Sequence, residues 1–163
     1  MLVAGVGNIF FGDDGFGPAA ARVLAADPIE DVTIEDYGIR GLHLAFEMLA
    51  GYDRVFLIDA VPRGGKPGTL YVLEPRIGEG VGAPDAHRMD LEGVFALVRM
   101  IGGEPPPITI VGCEPSAAQE TLELTEPVRQ AVQPAVDLVR KLVTDALSAN
   151  AQNLERNGSW TEA

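Results

Sequence analysis

Apolar and polar positions alternate along this chain with two distinct periods. Short, nearly unbroken apolar runs predict strands over Leu2–Val6, Val32–Asp36, Arg54–Ala60, Thr69–Leu73 and Ile108–Gly112. Between them, three-to-four spacing predicts helices over Phe16–Ala26, Leu42–Ala50, Leu91–Ile101 and Glu126–Leu147. The first three runs are rich enough in apolar residues to suit strands covered on both faces. In the last helix Val128, Val132, Val136, Val139 and Val143 form one stripe, which Pro134 is expected to kink or break. Pro62–Gly68 reads as a turn leading into an antiparallel edge strand. Strands alternating with helices predict a three-layer α/β/α sandwich around a mostly parallel sheet. The expected organisation is one domain over 1–147, followed by a polar, aperiodic tail over 148–163.

Composition narrows the partners. The chain has 163 residues, with 12 Lys and Arg against 24 Asp and Glu, a net charge of −12. Without a basic cluster, nucleic acid and anionic membrane surfaces are excluded as expected partners. No apolar run approaches the roughly 18 residues of a membrane span, and the N-terminus shows no secretory pattern. Cys113 is the single cysteine, which fits the reducing cytoplasm.

Chemistry concentrates where strands end. Gly5-Val6-Gly7-Asn8 leads through Gly12-Asp13-Asp14-Gly15-Phe16-Gly17 into the first helix. This loop carries two carboxylates where a phosphate-binding loop carries backbone amides or a lysine, so it suits a cation. Asp59 closes the apolar run Val55-Phe56-Leu57-Ile58, and His87 closes the Gly/Pro-rich segment 75–86. Two carboxylates and an imidazole suit divalent Ni, Zn or Fe. Each residue also has a plainer reading. Asp14 can be an acid at a helix N-terminus, Asp59 an acceptor for loop amides, and His87 a solvated side chain. Asp13 reads as a cap or a solvated acid whose replacement by Asn leaves activity intact. His43, beside the Leu42–Phe46–Leu49 stripe, reads as a surface or packing residue, and Cys113 as a small buried hydrophobe. The dinucleotide, Walker A, nucleophile-elbow and His-Glu-x-x-His patterns are all absent.

Together with Leu57-Ile58-Asp59-Ala60, Ala86-His87-Arg88-Met89-Asp90-Leu91 and Gly112-Cys113-Glu114-Pro115, the first loop resembles the hydrogenase maturation proteases. The resemblance spans about Met1 to Leu147. It implies an α/β/α endopeptidase, of aspartyl type, with Asp14, Asp59 and His87 as the metal-contacting trio. It further implies a cytoplasmic substrate: a nickel–iron hydrogenase large-subunit precursor whose C-terminal extension is removed. The nickel is carried by that precursor, and no permanent cofactor is expected.

One segment departs from the family pattern. Many relatives have Asp-Gly-Gly-Thr where this chain has Asp36-Tyr37-Gly38-Ile39. Asp36 stays a candidate general base alongside Asp14, with a helix N-terminal acid before Leu42–Ala50 as the plainer reading. The loss of the hydroxyl leaves open a nickel-sensing chaperone that docks on the precursor without cutting it. A nucleotide-dependent oxidoreductase rests on fold analogy and on the broken glycine pattern of the first loop.

Overall fold

The computed structural model describes residues 1–75, 91–116 and 120–158, excepting the side chains of 92 and 153–158. Five strands form one sheet: β1 (Leu2–Val6), β2 (Thr33–Gly38), β3 (Val55–Ala60), β4 (Leu70–Leu73) and β5 (Ile108–Cys113). Their order is β2-β1-β3-β5-β4. All pairings are parallel except that of β4 with β5, so the turn after β3 does lead to an antiparallel edge strand. The helices are α1 (Phe16–Ala26), α2 (Gly41–Met48), α3 (Leu91–Met100) and α4 (Glu126–Gly158).

Period-two alternation in the strands divides the core between two faces. Leu2, Ala4 and Leu57 point toward Leu44 and Met48 of α2 and Val94 and Val98 of α3. Val3, Phe56 and Ile58 point toward Phe16 and Leu24 of α1 and Val136 and Val139 of α4. The result is the expected three-layer α/β/α sandwich. Among the described residues no helix is long and apolar enough to cross a membrane.

Three local expectations change. β2 is an edge strand with Thr33 and Glu35 exposed and Tyr37 buried, so it is not covered on both faces. In α2 the inward face is Leu44, Ala45 and Met48, and Leu42 and Phe46 are exposed. Two overlapping helical stripes compete there, and packing against α3 selects the one with the smaller Ala45. α4 runs unbroken through Pro134 and on to Gly158, past the point where a tail was expected. Val128, Val136, Val139 and Val143 are buried, and at roughly 1.5–3 kcal/mol each they outweigh the ~3 kcal/mol cost of an interior proline. Beyond 147 the sequence is polar but holds no further proline, and no glycine before Gly158, so nothing local stops the helix.

Candidate active site at the carboxyl ends of the strands

In an open parallel sheet, the carboxyl ends of the strands form the rim where ligands bind. β1 and β3 are neighbours, and each delivers an aspartate to that rim. Asp14 lies in a 3₁₀ turn, Gly12–Gly15, between β1 and α1. The half-buried carboxylate of Asp14 accepts the Asn8 amide at 2.7 Å through Oδ2. Gly7, with φ of +129°, permits the sharp exit from β1 that closes this loop. Asp59 is half-buried in β3, opposite Gly112 of β5, and its Oδ1 accepts the Ala60 amide at 2.8 Å. His87 lies outside the described residues. Among the described residues no three His, Cys, Asp or Glu side chains converge to hold a metal. Of the expected trio, Asp14 lies in the turn that follows β1 and Asp59 in the neighbouring strand β3.

Asp36 belongs to β2 rather than to a helix start, which removes its plainer reading; α2 begins at Gly41 without a side-chain cap. Its Oδ2 accepts both Nε and Nη2 of Arg22, at 3.1 and 2.9 Å. β2 bulges here, because Gly5 pairs with Asp36 but Val6 pairs with Gly38. Gly38, at φ +52°, completes the turn. The Arg40 guanidinium donates to the carbonyls of Tyr37, at 3.1 Å, and Asp36. These residues and the loop 7–10 enclose an open cleft of about 280 Å³, with Phe10 and Ile39 exposed at its rim.

Two carboxylates without an assigned role in the sequence prove to be buried, with 5% exposure for Asp13 and 4% for Glu114. Asp13 is neither a cap of its own helix nor solvated. Its Oδ2 accepts the Ser116 amide and the Thr125 hydroxyl, both at 2.8 Å, and its Oδ1 accepts the Thr125 amide at 2.7 Å. Glu114 accepts the Arg63 and Gly64 amides, at 2.9 and 3.0 Å, and the Tyr71 hydroxyl at 2.8 Å. Burial opposes its charge, but the bonds from Tyr71 and the amides of Arg63, Gly65 and Gly64 prevail, holding its carboxyl below the ordinary value. These partners lie far away in sequence. The only local signal was a charged residue directly after an apolar strand, which for Glu114 stood in plain view.

The depressed Glu114 carboxyl has a pH consequence. A group whose folded pKa is lowered adds stability above its unfolded value, about 4.3 for Glu, and loses it as pH falls through the folded value. Urea midpoints of the parent chain and Glu114→Gln, taken from pH 7 down to pH 3, are expected to hold their gap above about pH 5 and to draw together as pH falls below the unfolded value of about 4.3. A gap that stays constant over that range would contradict the ionised-carboxylate role.

The remaining candidates are inert. Burial, reinforced by the charge of Asp13, pushes the Cys113 thiol up to about 12, so no thiolate nucleophile forms near neutrality. His43 is exposed on α2.

A mostly parallel sheet covered by helices on both faces, with aspartates near neighbouring strand ends and the single thiol buried, places the chain in the α/β/α class. Comparison with known proteins specifies the class. A family described as hydrogenase maturation protease matches residues 20–142. The chain is 32% identical over 144 residues to the hydrogenase expression/formation protein HupD of Rhizobium leguminosarum bv. viciae, covering 84% of this chain and 70% of that protein. It is 31% identical over 146 residues to the hydrogenase 2 maturation protease of Escherichia coli strain K12, covering 85% and 87%. Among solved structures, the hydrogenase maturating endopeptidase HybD from E. coli superposes with a TM-score of 0.73 at 27% identity, over 89% of this chain and 92% of that one. The hydrogenase 2 maturation peptidase from Thaumarchaeota archaeon SCGC_AB-539-E09 gives 0.68 at 32% identity, over 88% and 97%. The chain belongs to the hydrogenase maturation protease family, a family of endopeptidases.

Proposed function

We propose that this endopeptidase removes the C-terminal extension of a nickel–iron hydrogenase large-subunit precursor in the cytoplasm, with the nickel in that precursor as the recognition element. The observation that carries the reading is the delivery of Asp14 and Asp59 to one rim by the adjacent strands β1 and β3. Two carboxylates and the imidazole of His87 leave a cation several open positions, which ligands from the precursor fill. The nickel is thus part of the substrate, and the protease carries no permanent cofactor.

The scissile peptide then lies beside the metal. Water adds to its carbonyl carbon, the C–N bond breaks, and the departing amine takes a proton. Asp36 is our candidate base for that water: it lines the cleft next to the Asp14 loop, and Arg22 fixes the direction of its carboxylate. Asp14 takes the other role, as a contact to the cation.

The test presents purified protein with nickel-loaded and nickel-free precursor and follows the size of the large subunit. Trimming of the loaded form alone is expected. Equal trimming of both forms would remove nickel as the recognition element. Binding of the loaded precursor without trimming would favour a docking chaperone, the role that the replacement of Asp-Gly-Gly-Thr by Asp36-Tyr37-Gly38-Ile39 would suit.

A further inference from the structure

We propose that Asp13 is a positioning residue for the cleavage reaction: its buried carboxylate fixes the loop that presents Asp14 across the carboxyl end of β3. This rests on the protease reading of that rim. Sheet order supplies the first argument. β1 and β5 flank β3, so the loop leaving β1 and the segment leaving β5 stand on opposite sides of Asp59. A bond from Asp13 to Ser116 therefore spans the end of the strand that carries Asp59. The 3₁₀ turn holding Asp13 and Asp14 packs against β3 itself.

The second argument is the completeness of the clamp. Both oxygens of Asp13 accept hydrogen bonds, three in all from Ser116 and Thr125. The Ser116 and Thr125 hydroxyls also lie within hydrogen-bond distance of each other, at 3.1 Å. A second tie runs alongside, from the Gly12 amide to the Thr121 carbonyl at 2.6 Å. Thr125 immediately precedes α4, so the carboxylate satisfies an amide at the start of that helix, where negative charge is favoured. The next residue, Asp14, has nowhere to drift: Asp13 anchors it from one side, and the Asn8 amide holds its Oδ2 from the other.

Substitution by Asn sets an NH₂ group against a backbone N–H, whichever way the amide turns. At Oδ1 it faces the Thr125 amide, and at Oδ2 it faces the Ser116 amide. The clamp opens, and Asp14 shifts relative to Asp59. A displacement near 1 Å at a reacting site lowers turnover by about 100-fold.

The experiment compares Asp13→Asn, Thr125→Val and Thr125→Ser in the full chain by three readouts. These are kcat and KM on nickel-loaded precursor, thermal unfolding, and the amide NMR resonance of Asn8, which senses the carboxylate of Asp14. Asp13→Asn is expected to lose about 10- to 100-fold in kcat with KM little changed, and to move the Asn8 resonance. Thr125→Val deletes one of the three bonds and should fall between parent and Asp13→Asn, whereas Thr125→Ser should match the parent. If Asp13→Asn does not fold, Thr125→Val carries the same readouts. Variants that melt earlier but keep the parent kcat and an unmoved Asn8 resonance would overturn the proposal, leaving Asp13 a purely structural group. A parent chain that leaves loaded precursor intact would overturn the protease reading instead, and the Asn8 resonance would still decide whether Asp13 holds Asp14.

Discussion

Asp59→Asn is expected to yield a folded protein that has lost precursor processing by about 100-fold or more, the scale for removing a positioned catalytic or ligand group. The substitution keeps size and one carbonyl oxygen. The Ala60 amide, which donates to Asp59 Oδ1 at 2.8 Å, can donate to the Asn oxygen equally well. That hydrogen bond is therefore kept in the variant, and the expected loss falls on activity rather than on this contact. What disappears is the negative charge at the end of β3, which a cation needs and a loop amide does not. Asp14→Asn should behave alike, because Asn can still accept from the Asn8 amide. His43→Ala, an exposed change on α2, should remain active. Thermal unfolding and cleavage of nickel-loaded precursor, measured on the same preparations, separate the two effects. An Asp59→Asn protein that melts early yet cuts at the parent rate per folded molecule would count against cation contact and in favour of an amide acceptor.

The contrast between Asp59 and Asp13 shows what a sequence of this kind discloses. β1, β3 and β5 are buried on both faces, so their apolar runs stand out, and an aspartate ending one of them announces a strand end. α1 was legible to its last residue, because one stripe with a proline near the start admits a single solution. β2 was harder: as an edge strand it needs burial only at Tyr37, and its true end at Gly38 depends on a bulge against β1. α2 offered two possible apolar stripes, and only the position of α3 decides between them. Asp13 and Glu114 were invisible as clamps for a different reason. Their partners lie between 43 and 112 residues away, so no local spacing encodes the donors that make a buried carboxylate comfortable. His87 was singled out by its place after a glycine-rich segment, and that reading falls outside the described residues. Resemblance to the maturation proteases carried the function because its motifs come in order along the chain.

Gly17→Ala is expected to produce the largest loss of stability of any change considered, a net ~2–4 kcal/mol once the ~1 kcal/mol helix-propensity gain of alanine is set against overpacking. A methyl group at Gly17 would lie 2.2 Å from the carbonyl oxygens of both Val6 and Ile58, and 2.7 Å from the Val6 nitrogen. All three are backbone atoms of the central strands, which cannot swing aside as a side chain can. Gly5 shows the same closeness from the sheet side, since its added methyl would meet the Gly17 carbonyl oxygen at 2.4 Å and Ala21 Cβ at 2.6 Å. The glycines flanking the first loop thus do more than permit a turn: they let α1 rest directly on β1 and β3. Gly51→Ala provides the control. Its φ of +91° makes the substitution strained, but no atom lies within 4 Å of the new methyl, so its cost should stay near 1–2 kcal/mol. For a chain of this size, 2–4 kcal/mol corresponds to a fall in Tm of roughly 5–15 °C, readable by calorimetry or circular dichroism. Activity should suffer as well at temperatures where Gly17→Ala is still folded. To relieve the clash, α1 must move away from β3, carrying with it Arg22, which orients Asp36, and dragging the loop that presents Asp14. A Gly17→Ala protein as stable and as active as its parent would mean that α1 does not sit on the sheet at this distance, and that the Asp14 loop is not set by the contact.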